Sequence, residues 1–451
     1  MPADMAEPRT APHQNPLPRA TVAETLAVLR DIQGPMVAKG PIIRRQRLTG
    51  LLERFDLEGR GVRRAQALAD KYGSGPLMLA IPGRDMALVL DPDDVHRILE
   101  ETHEPFAAAE TLKRHALKHF EPKVSLISHG PERNLRRRFQ EEALDADNPV
   151  HRMAEHFLPA VEQETSDLLA RVEQRGGTLD WDLFSESWFR IVRRVVLGDS
   201  SRDDSEFTEL LESLRGRGNW SLFAPVNRKG RARFLGRLQE LLDRGEPGSL
   251  AQWIQSRTTQ DVEPAQQVPQ WLFAFDPAGM AAFRALPLLA THPEHMDTAR
   301  AEAAAATDSV PELAHLRACV LESLRLWPTT PMILRETTRD VAFRNGVMPQ
   351  GSSVLIFAPF FHRDDRRLEF AHEFSPQLWH RPRTRDDWPL VPFSGGPGLC
   401  PGRQLVLLLT SHLVARVIQD HDVTVASHHL QPGAMPALLD TYSLQMDLTR
   451  R

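Results

Sequence analysis

The sequence predicts a mainly α-helical protein with a small β-rich lobe. Apolar residues recur at helical spacing through most of residues 131–320, with breaks near Gly176, Gly198 and Gly245. Two short apolar runs, residues 77–81 and 87–90, flank the turn Pro82-Gly83-Arg84-Asp85 and read as a β-hairpin. The length, 451 residues, could hold about three domains. No long linker interrupts it, so one large domain over residues 21–451 is expected.

The elements follow in order. Residues 1–20 are rich in Pro and polar side chains and read as a disordered tail, without the apolar centre of a signal peptide. Residues 21–30 and 46–72 read as amphipathic helices. After the hairpin, Asp91 caps a helix over 92–101 with Pro92 at its first position, where a missing N–H does no harm. Residues 106–128 lack periodicity and read as a mixed loop region. The last third mixes a strand at 353–358 with loops and a final helix over 402–419.

Composition narrows the function. A net charge of −5 argues against general nucleic-acid binding, so Arg136-Arg137-Arg138 reads as a solvated helix face. No run of ~18 uncharged apolar residues is seen, and the best candidate, 271–283, contains Asp276 and Pro277; no membrane span is expected. Only two cysteines occur, Cys319 and Cys400, which is no disulfide framework and fits a reducing cytoplasm. Cys319, within Leu316-Arg317-Ala318-Cys319-Val320-Leu321, reads as helix core.

Cys400 is the residue that carries chemistry. It sits in the run Pro392-Phe393-Ser394-Gly395-Gly396-Pro397-Gly398-Leu399-Cys400-Pro401-Gly402-Arg403, just before the apolar helix that starts at Gln404. Unpaired N–H groups and the positive end of the helix dipole favour a thiolate there. Glycines without Cβ let the backbone approach something flat and large. A thiolate facing a flat partner points to an axial ligand of haem iron. Two other roles exist: an inert buried cysteine, or a nucleophile with a His base. The loop contains no His for the second.

The spacing Phe393-x-x-Gly396-x-x-x-Cys400-x-Gly402 resembles the haem-binding loop of the cytochrome P-450 superfamily. The order of hairpin, helices and late cysteine loop matches too. The resemblance implies a triangular helical prism around a buried haem b (iron protoporphyrin IX), with the Cys400 thiolate as axial ligand. Glu322-Ser323-Leu324-Arg325 is similar to the family's Glu-x-x-Arg element, which locks onto a downstream loop. That loop would be residues 370–379, with Phe374, Pro376 and Trp379 in place, and Arg381 or Arg383 completing the network. Taken alone, Glu322 and Arg325 are an ordinary surface pair. His129 to Arg138 resembles the start of the family's third long helix and maps the propionate-binding positions to Arg133 and Arg137. Arg335 matches a third. Arg binds carboxylates bidentately, which suits the two haem propionates.

The chain departs from the family at two positions. The residue two before the cysteine, commonly Arg or His, is Gly398, with Arg133 as its expected replacement. Counting back from His292-Pro293 places the family's oxygen-binding stretch at Ala274-Phe275-Asp276-Pro277. The small residue is Ala274 and the acid is Asp276, but Pro277 replaces the usual Thr. Pro offers neither hydroxyl nor N–H and removes a helical hydrogen bond. A strongly bent helix is expected, since Pro269 and Pro287 flank the site. Asp276 would repel a substrate carboxylate, which disfavours a free fatty acid and suits a cationic or hydroxylated substrate.

The resemblance therefore implies a soluble bacterial-type monooxygenase in the cytoplasm. It would oxidise a mostly apolar small molecule of secondary metabolism, with electrons from a ferredoxin and its reductase, and without nucleic acid or membrane. Its pocket would take in residues 106–128, Ala274, Phe275, Asp276 and 332–334. Pro277 leaves two alternatives open: atypical haem-thiolate chemistry (peroxide use, isomerisation or dehydration), or a haem-binding protein without turnover.

Overall fold

The computed structural model describes residues 15–221, 223–256, 261–305 and 309–451. Seven helices position the site: α1 (Pro92–Glu100), α2 (Gly130–Ala143), α3 (Trp181–Leu197), α4 (Ser205–Gly218), α5 (Val268–Ala290), α6 (Ala314–Leu326) and α7 (Arg403–Asp420). Helix α5 is apolar almost all round, and such a helix belongs inside a core. It runs through the larger core with α3, α6 and α7 packed on it. Extended back to Pro264, the same helix is long and apolar enough to cross a membrane by composition, Asp276 and Pro277 notwithstanding; 78% of its most apolar window is buried in the fold, as for a core helix.

Local chemistry sets the boundaries. Asp91 caps α1 as expected, accepting the Asp93 N–H at 2.8 Å. Gly176, Gly198 and Gly245 each take positive φ where helices end. The helix expected over 46–72 is two, Gln46–Arg54 and Leu57–Tyr72, because Asp56 turns left-handed at φ 47°. The one expected over 21–30 starts at a Thr21–Glu24 capping box and continues through a π turn to Lys39. Residues 106–128 are mixed, with one helix at Thr111–Leu117. The expected tail lies mostly outside the described residues. Its last part is held: the Leu17 and Ala20 N–H groups donate to the Val347 and Met78 carbonyls.

Ten strands occur among the described residues: β1 (Leu77–Met78), β2 (Met86–Leu88), β3 (Phe106–Ala107), β4 (Thr178–Asp180), β5 (Met332–Thr337), β6 (Val341–Phe343), β7 (Gly346–Met348), β8 (Ser353–Phe357), β9 (His421–Val425) and β10 (Gln445–Arg450). The expected hairpin is β1–β2, with Leu77 opposite Leu88. It enlarges to a sheet of order β1-β2-β8-β5-β3, in which β2 and β8 are parallel. This sheet and α1 enclose a second core, the β-rich lobe. Strand β5 alternates, with Met332, Leu334 and Glu336 partly exposed and Ile333, Arg335 and Thr337 buried. The sheet β4-β10-β9 ties residues 178–180 to the C-terminus.

Candidate active site

The cysteine loop turns through a short 3-10 segment, Gly396–Gly398, and the Cys400 N–H donates to the Phe393 carbonyl at 3.0 Å. Phe393 packs on the larger core. Gly396 has φ 54°, and a Cβ there would stand 2.2 Å from the Leu99 carbonyl oxygen. The end of α1 thus requires its small size. Gly402 has no such need, since an added Cβ would meet only Leu144 at 3.7 Å. The Cys400 thiol is partly buried, and desolvation pushes its pKa up. The N–H groups of Gly402 and Arg403 and the charges of Arg137 and Arg403 pull it down by less. The N–H groups at the helix start favour a thiolate as expected, but burial outweighs them. A coordinated metal ion reverses that balance. Among the described residues no three His, Cys, Asp or Glu side chains gather to share a metal, so Cys400 stands as a single protein donor.

Buried cations surround this loop. Arg335, on the buried face of β5, donates to Thr102 Oγ1 at 2.9 Å and to Ser394 Oγ at 3.2 Å. Arg133 on α2 reaches the Pro397 carbonyl at 3.4 Å and leaves its buried Nε without a partner. Neither is bonded to a carboxylate among the described residues, and burial lowers each guanidinium to about 10. Arg137 donates to the Leu399 carbonyl at 2.7 Å and to Glu141 at 2.6 Å. His103 sits among the three; its ring nitrogens make no well-formed hydrogen bond, and burial and the arginines lower it to about 3. Orphaned buried donors and uncompensated cations fit a bound dianion. The residues present thus suit a haem with its propionates at Arg133, Arg137 and Arg335 and its iron at Cys400.

Behind the loop, Glu322 and Arg325 on α6 are both fully buried and paired at 2.7 Å. The network is complete. Arg325 donates to the carbonyls of His362, Phe370, Ala371 and Glu373, while the Ser375 N–H and Trp379 Nε1 each donate to Glu322 at 2.9 Å. Arg381 and Arg383 do not join it: Arg381 pairs with Asp387, and Arg383 caps carbonyls at 387–390.

Helix α5 carries the other residues expected at the site. Gln270, Phe273, Ala274 and Pro277 lie at i, i+3, i+4 and i+7, and all four keep exposed surface, as Asp276 and Ala290 do, in a helix buried elsewhere. That stripe is an open face in the interior. The helix stays continuous through Pro277. Phe275 is not part of the open face: it is buried, and its carbonyl accepts the Trp188 indole N–H at 2.6 Å. From residues 106–128, Phe120 meets the Phe273 ring edge-on at 5.7 Å, and Glu121 faces the Gln270 amide. Asp276 does not stand free. Arg215 of α4 pairs with it at 2.9 Å and lies over the Phe273 ring at 4.7 Å. Sequence reasoning missed Arg215 and Trp188, because nothing local in either stretch marks a partner on α5.

A family model described as cytochrome P450 matches residues 261–440. Cytochrome P450 52A3-A of Candida maltosa is 36% identical over 116 residues, 23% of this chain and 22% of that protein. Cytochrome P450 4g15 of Drosophila melanogaster is 30% identical over 128 residues, 27% of this chain and 22% of that protein. Cytochrome P450 monooxygenase FCK2 of Fusarium pseudograminearum is 31% identical over 142 residues, 31% of this chain and 26% of that protein. The matched stretches thus span between a fifth and about a quarter of these relatives. Over the whole fold, the cytochrome P450DA heme domain superposes with a TM-score of 0.70 at 19% identity, covering 87% of this chain and 93% of that one. A retinoic acid-bound cyanobacterial CYP120A1 gives 0.67 at 18%, covering 86% and 94%.

Proposed function

From the premise that this chain belongs to the cytochrome P450 superfamily, we propose that it is a haem-thiolate monooxygenase acting on a mostly apolar small molecule. One observation carries the reading: Cys400 lies in a loop edged by the acid-free guanidinium groups of Arg133 and Arg335. A bound haem b supplies the redox-active iron that activates the oxidant. Cys400 holds that iron, while Arg335, Arg133 and Arg137 orient the propionates. Ala274 and Pro277 line the open face of α5, and the small Ala274 side chain leaves room for substrate. The Asp276 carboxylate is kept in place beside that face by Arg215. A carboxylate one water from the oxidant is a workable relay where Pro277 offers no hydroxyl.

The same pair supports a second reading, peroxide use: a fixed carboxylate beside Pro277 can move the proton that peroxide needs without the relay that dioxygen needs. We assign electrons in the first reading to a ferredoxin and its reductase, the setting to the cytoplasm, and the substrate to secondary metabolism. The cytoplasm is supported by the two unpaired thiols, Cys319 and Cys400.

The test is a pair of turnover assays on the haem-loaded protein, one with a ferredoxin system and dioxygen, one with hydrogen peroxide alone. Product in the first supports the monooxygenase. Product only in the second selects the peroxide reading, and rearranged or dehydrated product without an oxidant selects the isomerase or dehydratase alternative. A substrate-induced change of the haem spectrum without any product marks a binding protein.

A further inference from the structure

His103 stands at the cysteine loop with its ring unused. Both ring nitrogens are buried and lack a hydrogen-bond partner among the described residues. A histidine ring carries at least one N–H in either tautomer, so a buried donor is left over whichever is present. Such a group is costly until something accepts it. The two acids beside it in the chain are engaged elsewhere: Glu104 accepts from the Thr338 hydroxyl, and Glu101 pairs with Arg97 at 3.0 Å.

Distances tie the segment around His103 to the loop. The Leu99 carbonyl oxygen would stand 2.2 Å from a Cβ on Gly396, and Thr102 Cγ2 would stand 3.6 Å from one on Gly398. Thr102, the residue before His103, accepts the Arg335 Nε–H at 2.9 Å. The His103 ring itself approaches the Pro397 backbone. Proline has no N–H, so the atom approached is its carbonyl oxygen. Arg133 reaches that same oxygen at 3.4 Å. His103 thus shares one anchor with Arg133, and its chain neighbour is bonded to Arg335.

The arginines leave room for one more donor, and for a neutral one. Arg137 is already paired with Glu141 at 2.6 Å. Arg133 and Arg335 bring two positive charges, which two propionates balance, so a further cation is not needed. Two carboxylates accept at about eight lone-pair positions. Part of the two guanidinium groups is spent on Thr102, Leu334, Ser394 and Pro397. The His103 ring is neutral, since burial and the nearby guanidinium groups lower it to about 3. It therefore offers an N–H without adding charge.

We propose that the His103 ring N–H donates to a haem propionate beside Arg133 and Arg335, which makes His103 a fourth residue that holds the cofactor. This rests on the haem-thiolate reading and adds to it a residue that no spacing in the sequence marks. The role is one of positioning: His103 holds the haem and takes no part in the chemistry at the iron.

Transfer of haem from the loaded protein to excess apomyoglobin tests this, with the parent, His103→Leu and His103→Gln. His103→Leu should release haem about tenfold faster, the worth of a hydrogen bond to a charged group. His103→Gln keeps a donor and should lie between the two. The same proteins reconstituted with haem dimethyl ester, which has no propionate charge, separate this role from packing: the gap between parent and His103→Leu should largely close. No gap with haem, or a gap of the same size with the dimethyl ester, overturns the proposal. Should His103→Leu not fold, the propionate bending band in the resonance Raman spectrum decides. It should shift between parent and His103→Gln, and an identical band overturns the proposal. The reduced carbon-monoxide spectrum is recorded first. A parent without the thiolate band sinks the functional reading itself, which is a separate failure.

Discussion

Arg335 occupies the space that a side chain at position 398 would need: a Cβ on Gly398 would stand 2.7 Å from its Nη2. The sequence reads Gly398 as a missing cation, with Arg133 as the replacement. The structure gives that role of close approach to Arg335, which comes in from β5 and bonds Ser394 within the same loop. A basic residue in the loop and a buried Arg on the strand would compete for one volume.

Gly398→His should therefore displace Arg335 and break its bonds to Thr102 and Ser394. Haem content per chain after gel filtration should fall well below the parent's. Gly398→Ala should do less, because the far end of a flexible side chain can shift by the few tenths of an ångström required. Equal haem in parent and Gly398→His would show that Arg335 has no part in holding it.

Cys400→His should lose the red-shifted Soret band of the reduced carbon-monoxide complex while keeping some haem, since imidazole is also an axial ligand. A thiolate band in that variant would remove Cys400 from the iron, leaving Cys319, which is fully buried on α6, as the other thiol.

Arg325→Ala leaves the Glu322 carboxylate buried with two donors, Ser375 and Trp379, and strips four carbonyls of their partner. Breaking a buried pair costs about 3–5 kcal/mol. Trp379→Phe removes one hydrogen bond to a charged group, about 1–3 kcal/mol. Urea midpoints should order as parent, Trp379→Phe, Arg325→Ala, with haem lost in the same order. An Arg325→Ala protein that unfolds at the parent's midpoint would reduce the pair to the surface interaction the spacing alone suggests.

Gly279 is held to glycine by a rigid neighbour. A Cβ there would stand 2.5 Å from Trp188 Cδ1, and that indole is fixed by its bond to the Phe275 carbonyl. Overpacking of this kind costs about 1–3 kcal/mol. Gly279→Ala should lower the urea midpoint, and Trp188→Leu should lower it through the lost hydrogen bond to the Phe275 carbonyl and the lost packing. The double variant should be less destabilised than the sum, because the clash is gone. Strict additivity would mean that the two residues are not in contact.

The reach of the sequence follows from how local each signal is. The Cys400 loop, the α1 cap and the Glu322–Arg325 pair are written in contiguous residues, and the structure has them where the sequence puts them. Strand β5 is hard to read in the sequence, because buried Arg335 puts a charge where its alternation calls for an apolar residue. The sheet β4-β10-β9 joins segments far apart in the chain, so no local pattern announces it. Asp276 was found but not its state: Arg215 is 61 residues away, and neither residue's neighbours point to the other. Gly396 has a second reason to be glycine that the sequence does not announce, the Leu99 carbonyl from a distant helix end.

The Asp276–Arg215 pair changes what substitution on α5 should do. Asp276→Asn keeps the shape but removes the charge that holds Arg215, leaving a nearly fully buried guanidinium whose close contacts among the described residues include the Ile42 carbonyl and the Phe273 ring. A neutral amide also cannot carry a proton through a water. Product per electron consumed should therefore drop about tenfold or more, equivalent to about 1.4 kcal/mol, while substrate affinity changes less. Arg215→Lys retains a cation near the carboxylate but not the planar fork, so it should lie between parent and Asp276→Asn. Pro277→Thr restores a hydroxyl to the open face and should raise the yield from dioxygen if proton delivery limits the parent. Equal product per electron in parent and Asp276→Asn would take Asp276 out of the chemistry and leave the pair as a brace between α4 and α5. A parent that forms product with peroxide and none with electrons, and whose peroxide yield still falls in Asp276→Asn, would keep Asp276 as the acid and move the protein to the peroxide reading.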